Sequence, residues 1–286
     1  MVALARWACF ACVCALVPAQ SGCSLLATFG DREARGDQGG SDGAGASRGD
    51  GGAAPGAGCP GTAGPVMVRA GAYCVDSTEV TNLDYEGFLA AAVAPSQQVA
   101  RCAWNESFEP EGFSADGARA ALPVVNVDWC DAAAFCAWAG KRLCGKIGGG
   151  SVDVKSADSA SSSQWYAACS RGGDRSYPYG DAYDSRACQG VGASSAAPAG
   201  SLSACEGGFS GVLDMSGNVA EWEDACVPSS SGDGDGGSGA SDSCLVRGGS
   251  FGAKESDALS CDGNGELDGA HRDHRSLDVG FRCCGP

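Results

Sequence analysis

The stretch Gly211-Val-Leu-Asp-Met-Ser-Gly-Asn-Val-Ala-Glu-Trp222 decides the fold. It is written in turn residues. Glycine admits left-handed backbone, and Asp and Asn side chains hold turns by bonding to nearby main chain. Further along, Arg247-Gly-Gly-Ser-Phe251 and Gly280-Phe-Arg-Cys283 again set glycine against an aromatic residue. Glycine makes up 46 of 286 residues, roughly twice the usual share. Many turns and few long elements follow. From spacing alone, Asp214 and Asn218 read as turn caps.

Three helices can be placed around this text. The first is expected over Asn82 to Ala92, capped by Thr81 or Asn82, with Tyr85, Phe88 and Leu89 on one face. The second is expected over Trp129 to Ala139. Asp128 caps it, Gly140 ends it, and Trp129, Ala133, Cys136 and Ala137 line its buried side. The third is expected over Ser163 to Cys169, capped by Ser161 or Ser162 and stopped by Gly172-Gly173. Asp128 and Asp131 read as helix-start residues, and Lys141 and Arg142 as complements to a helix C-terminus. Tyr177-Pro-Tyr-Gly180 reads as a turn held by aromatics. Short strands are expected at Val212-Leu213, Cys244-Leu-Val246 and Val279-Gly-Phe281. Helices followed by short strands indicate a loop-rich, disulfide-rich α+β domain.

Eighteen cysteines are present. Three fall in an apolar leader, Trp7 to Ala19, which is too short for a membrane span and reads as a secretory signal over residues 1–22. Gln20-Ser-Gly-Cys23 resembles a bacterial lipobox, in which Cys23 would be lipidated; Gln20 departs from the usual aliphatic residue. Fourteen cysteines then remain, enough for seven disulfides in an oxidising compartment. Residues 23–58 are rich in Gly, Asp, Ala and Ser and read as a flexible linker. The domain is expected over residues 59–286. A Gly/Ser/Asp-rich insertion lies between Cys226 and Cys244, and a bridge between those two would pin its base. The net charge of −16 argues against a nucleic-acid partner, because phosphate binding needs a basic face.

The order of motifs carries more than any one of them. Cys74-Val-Asp-Ser-Thr-Glu-Val-Thr-Asn82 is followed by Pro123-Val-Val-Asn-Val-Asp-Trp129, Gln164-Trp-Tyr-Ala-Ala168 and Tyr177-Pro-Tyr-Gly180. Then come the three glycine-rich segments. This series resembles the formylglycine-generating enzyme, or sulfatase-modifying factor, family over roughly residues 66 to 284. The resemblance implies a C-type-lectin-related fold. It also implies a structural calcium held by Asp214, Gly217, Val219 and Glu221.

The same resemblance places a copper(I)-binding cysteine pair two and seven residues beyond Phe251, where this chain has Ala253 and Ala258. Copper(I) wants soft thiolates, so copper is not expected. Cys261, three residues further on, reads as bridged. His271 and His274 with Asp268, Asp273 and Asp278 could hold a non-haem iron, but read more simply as solvated surface. Arg247 and Arg282 read either as cleft residues or as buried arginines tying loops through carbonyls. The expectation is a membrane-anchored lipoprotein of the cell envelope, with a calcium-stabilised domain that acts in binding, of a peptide or a carbohydrate, or in assembly. The rival is an oxygen-dependent oxidoreductase of the wider family that uses another metal or a thiol.

Overall fold

The structure is a computed structural model that describes residues 58–229, 239–263 and 270–286. The leader, Cys23 and nearly all of the linker fall outside the described residues. Among the described residues, no helix is long and apolar enough to cross a membrane.

Helix α1 spans Asn82–Ala90. Thr81 caps it, accepting from the Asp84 N–H while the Asp84 carboxylate accepts from the Thr81 N–H. Helix α2, Trp129–Trp138, starts the same way, with Asp128 and Asp131 in the reciprocal roles. Such a box satisfies donors that a helix start otherwise leaves open. Gly140 follows α2 in the left-handed conformation, φ +72°. Helix α3 is shorter, Gln164–Cys169, and its cap is Ser163 rather than Ser161 or Ser162: the Ser163 hydroxyl accepts from the Tyr166 N–H.

Among the described residues, seven strands form two sheets. β1 (Met67–Ala70), β2 (Tyr73–Asp76), β3 (Arg142–Leu143) and β7 (Cys283–Gly285) make an antiparallel sheet in the order β1-β2-β7-β3. β4 (Ala220–Val227), β5 (Ser243–Arg247) and β6 (Val279–Gly280) make the other, in the order β5-β4-β6. β4 runs antiparallel to β5, with a register shift between Trp222 and Cys226, and parallel to β6. Val212-Leu213 is not a strand; Leu213 makes only an isolated bridge to Glu206. Tyr177 and Gly180 close their turn by a bridge, and the rings of Tyr177 and Tyr179 stack at 5.6 Å.

The larger core lies between α1, α2 and the crossover from β6 to β7. Phe135 sits at its centre, with its ring 5.3 to 5.7 Å from those of Tyr85, Phe88, Trp138 and Phe281. α2 buries Cys130, Ala132, Phe135 and Cys136, whereas Ala133 is half-buried and Ala137 exposed. The expected face was therefore wrong at Ala137, while Ala133 packs half-buried against the core. The larger side chains decide which side turns inward, because they remove more apolar area from water. Lys141 does not serve the helix terminus. Its ammonium is buried and pairs with Asp76 at 2.6 Å, while also donating to the Pro65 carbonyl at 2.8 Å.

Seven disulfides staple these elements: Cys59–Cys74, Cys102–Cys130, Cys136–Cys283, Cys144–Cys284, Cys169–Cys261, Cys188–Cys205 and Cys226–Cys244. Cys226 and Cys244 face each other across β4 and β5. All fourteen described cysteines are used.

Two predictions follow from the core. Phe135→Ala should cost about 3–5 kcal/mol, because it empties the centre of the aromatic cluster; denaturant unfolding measures this. The second concerns Asp128 and Asp131, which are buried beside each other and share Arg275. Burial, then repulsion from Asp128, pushes the Asp131 carboxyl up to about 7. The folded state therefore holds a proton that the unfolded chain releases. Stability from this pair is fully present below the ordinary carboxylate range and is lost as pH rises towards about 7. Melting curves from pH 4 to 8 should show this fall, and Asp131→Asn should flatten it.

Candidate functional site

The loop ahead of β4 is built from left-handed residues. Gly211, Asp214, Gly217 and Asn218 have φ of +85°, +60°, +71° and +59°. At Gly217 a side chain is excluded twice over, because a Cβ there would lie 2.3 Å from the Gln189 carbonyl oxygen. The polar side chains of this loop reach across to another. Asp214 Oδ2 accepts from the Gly200 N–H at 2.6 Å, and Asn218 Oδ1 from the Ala197 N–H at 2.8 Å. Both act as caps, but of distant rather than local backbone. The buried Asn218 Nδ2 has no hydrogen-bond partner among the described residues.

Glu221 leaves this loop on β4 with 1 % exposure. Its carboxylate is gripped by Arg282, which is itself fully buried. Arg282 Nε donates to both oxygens at 2.9 and 2.7 Å, and Nη2 donates to Oε1 at 2.7 Å. The Trp165 indole donates to Oε2 at 2.8 Å. The guanidinium also ties two carbonyls, those of Asp76 at 3.0 Å and Leu213 at 2.8 Å. Arg282 is therefore a loop-tying arginine. Arg247 does similar work. It donates to Asp158 at 2.7 Å and to the Cys261 carbonyl at 2.8 Å, and lies 5.2 Å from the Trp165 ring centre.

Sequence reasoning missed Glu79 as a member of this group. It is fully buried, and neither carboxylate oxygen has a hydrogen-bond partner among the described residues. Its carboxyl interacts with those of Asp214 and Glu221 and with the Arg282 guanidinium. Burial, then the Asp214 charge, pushes the Glu79 carboxyl well above the usual range; Arg282 opposes this. Asp214 is raised too, chiefly by burial. The one signal in the sequence was position. Glu79 stands beside Val80, two residues before a helix cap, where the chain turns inward.

The donor set implied for calcium fits only in part. Asp214 lies in the node, but both oxygens of Glu221 already receive donors from Arg282 and Trp165. Among the described residues, no three His, Cys, Asp or Glu side chains group as a ready metal site.

Elsewhere the structure separates what the sequence placed close together. His271 and His274 are exposed, and Asp268 lies outside the described residues. Asp278 is engaged by the hydroxyls of Ser250 and Ser276. Ala253 is half-buried and Ala258 exposed, while Cys261 is buried and bridged to Cys169. Phe251 lines a cleft of about 410 Å³ together with Asn82, Phe113, Arg119, Pro123, Asn126 and Leu277. Asn126 holds its wall with φ +59°, donating from its N–H to the Ser276 carbonyl at 2.9 Å and from its amide to the Glu111 carbonyl at 3.3 Å. A separate hollow of about 300 Å³ lies against α2 and is largely apolar, walled by Val93, Val99, Phe108 and Trp138 with Gln97 and Gln98.

Three solved structures are similar to the chain. The crystal structure of CarF has 17% identity and a TM-score of 0.47, covering 80% of this chain and 96% of CarF. Treponema denticola variable protein 1 has 19% identity and a TM-score of 0.45, with coverages of 79% and 92%. PvdO from Pseudomonas aeruginosa has 20% identity and a TM-score of 0.47, with coverages of 84% and 88%. No curated protein matches. The model of the sulfatase-modifying factor enzyme 1-like domain matches residues 40–285. That span takes in every motif that carries the resemblance and both sheets, and the chain belongs to this family.

Proposed function

We propose that this is a binding module of the sulfatase-modifying factor fold, without copper-dependent cysteine oxidation. The observation that carries this reading is the pairing of Cys261 with Cys169. Positions 253 and 258 are alanine, and the one cysteine nearby has its sulfur in a disulfide. A disulfide sulfur is not the thiolate that copper(I) needs. The ligand site of this reading is the cleft at Phe251. Its wall is mostly apolar, with side-chain amides and one charge of each sign, Arg119 and Glu111, at its rim. That mixture suits an extended peptide, whose backbone seeks polar partners between apolar side chains.

Calcium at Asp214 would act structurally, fixing the turn that delivers β4. Seven disulfides are consistent with an exported protein. Lipidation at Cys23 would hold the domain on the membrane, with residues 24–58 as a tether.

Two measurements test this. Lipid labelling of cells expressing the full chain should mark the wild type and not Cys23→Ser. Purified protein should bind members of an extended-peptide library, and Phe251→Ala should weaken that binding about tenfold or more. A thiol-dependent, copper-dependent conversion of a peptide cysteine to an aldehyde would overturn the reading. Binding of glycans alone would overturn its peptide part.

A further inference from the structure

The hollow against α2 differs in chemistry from the cleft at Phe251. None of the described residues that line it is charged, in a chain of net charge −16. Ala133, Ala134 and Ala137 of α2 leave the space by being small. The rest of the wall is aliphatic, aromatic and sulfur, including Phe108, Trp138 and the buried Cys102–Cys130 bridge. Apolar surface left in water costs about 25 cal/mol per Å², so a loop free to move would close over it. This loop is braced instead. The Gln98 amide donates to the Pro95 carbonyl at 3.0 Å and to the Asn105 carbonyl at 2.8 Å. The Asn105 amide donates back to Gln98 at 3.2 Å and to Asp131 on α2 at 2.8 Å. The disulfide pins the same loop to the first turn of α2. Where the chain leaves α1 for this wall, Ala92 stands at φ +49°, a conformation that residues other than glycine seldom adopt. The hollow is therefore preformed, as small-molecule sites usually are.

We infer that this hollow binds a small, uncharged aromatic molecule that carries a hydrogen-bond acceptor. Its volume of about 300 Å³ lies at the lower end for such sites and admits roughly one or two rings. An ionised ligand would give up hydration and meet no counter-charge among these walls. A flat ring gains over an aliphatic one of the same size. Ring edges and faces attract one another, and polarizable sulfur makes favourable contacts with rings. The acceptor follows from the indoles. Trp104, Trp129, Trp165 and Trp222 each donate their ring N–H to a protein oxygen. The Trp138 ring packs against Phe88 and Phe135, but its N–H has no partner among the described residues. It is the donor left for a ligand oxygen.

The test uses phenol as probe on the full, disulfide-intact chain, read by ligand-observed NMR titration and by the rise in melting temperature. Phenol should bind saturably, one per chain, and raise the melting temperature. Cyclohexanol, of the same size but not aromatic, and benzoate, which is charged, should bind at least about tenfold more weakly. Ala134→Leu fills the hollow. It should weaken phenol about tenfold or more without lowering the melting temperature of the free protein. Trp138→Phe keeps a ring and removes the donor, so it should weaken phenol and leave toluene unchanged; it decides the matter if Ala134→Leu does not fold. Absence of saturable phenol binding overturns the inference, and so does equal binding of phenol by wild type and both variants. Cyclohexanol bound as tightly as phenol, or benzoate bound more tightly, overturns the ligand class.

Discussion

The Arg282 guanidinium holds this domain together. It sits on the short crossover between β6, in the three-stranded sheet, and β7, in the four-stranded sheet. From there it grips Glu221 on β4, the carbonyl of Asp76 on β2 and the carbonyl of Leu213 in the site loop. One fully buried side chain thus sets the position of both sheets and of the turn that follows Leu213. A guanidinium suits the task because its donors are fixed in a planar fork and it cannot lose its charge. The cleft at Phe251 depends on the same crossover, since Leu277 on its wall leads directly into β6.

Ion pairs do elsewhere in this interior what long hydrogen-bonded ladders do in more regular folds. Lys141 meets Asp76, Arg275 meets Asp128 and Asp131, and Arg272 meets Asp242 while lying 4.3 Å from the Trp129 ring centre. Each pair joins segments far apart in the chain or closes a long loop. Such pairs add little net stability, but leaving one half alone is expensive. They act as registers, penalising any arrangement in which the partners miss each other.

The parts of the fold legible in the sequence were those written locally. Thr81 and Asp128 announce helix starts within three residues, and the glycine-rich segments announce turns by their chemistry. The strand β4 was not legible. Its sequence, Ala220 to Val227, carries Glu221, Glu223 and Asp224, and acids do not suggest a buried strand. Only their partners, Arg282 for Glu221 and Ser163 for Glu223, make that burial tolerable. Those partners lie about 60 residues away. The α2 face was misjudged for a related reason. Alanine at helical spacing says little about direction when Phe135 and Cys130 are also there to be buried. Glu79 looked like an ordinary polar residue before a cap, and its isolation from donors is a property of the packed molecule alone. Disulfide pairing likewise follows from tertiary contacts, because the number of possible connectivities grows steeply with cysteine count.

Cys283 and Cys284 are consecutive, yet they bridge to different partners, Cys136 and Cys144, at separations of 147 and 140 residues. Successive residues of a strand point to opposite faces, so β7 is riveted on both sides. A chain threaded N-terminus first into an oxidising compartment presents Cys136 and Cys144 long before their mates arrive. In that interval, cysteines such as Cys102, Cys130 and Cys169 are nearer at hand. Any pairing made in that interval has to be exchanged before both faces of β7 can be fastened, so the last strand to emerge decides which earlier bridges can persist.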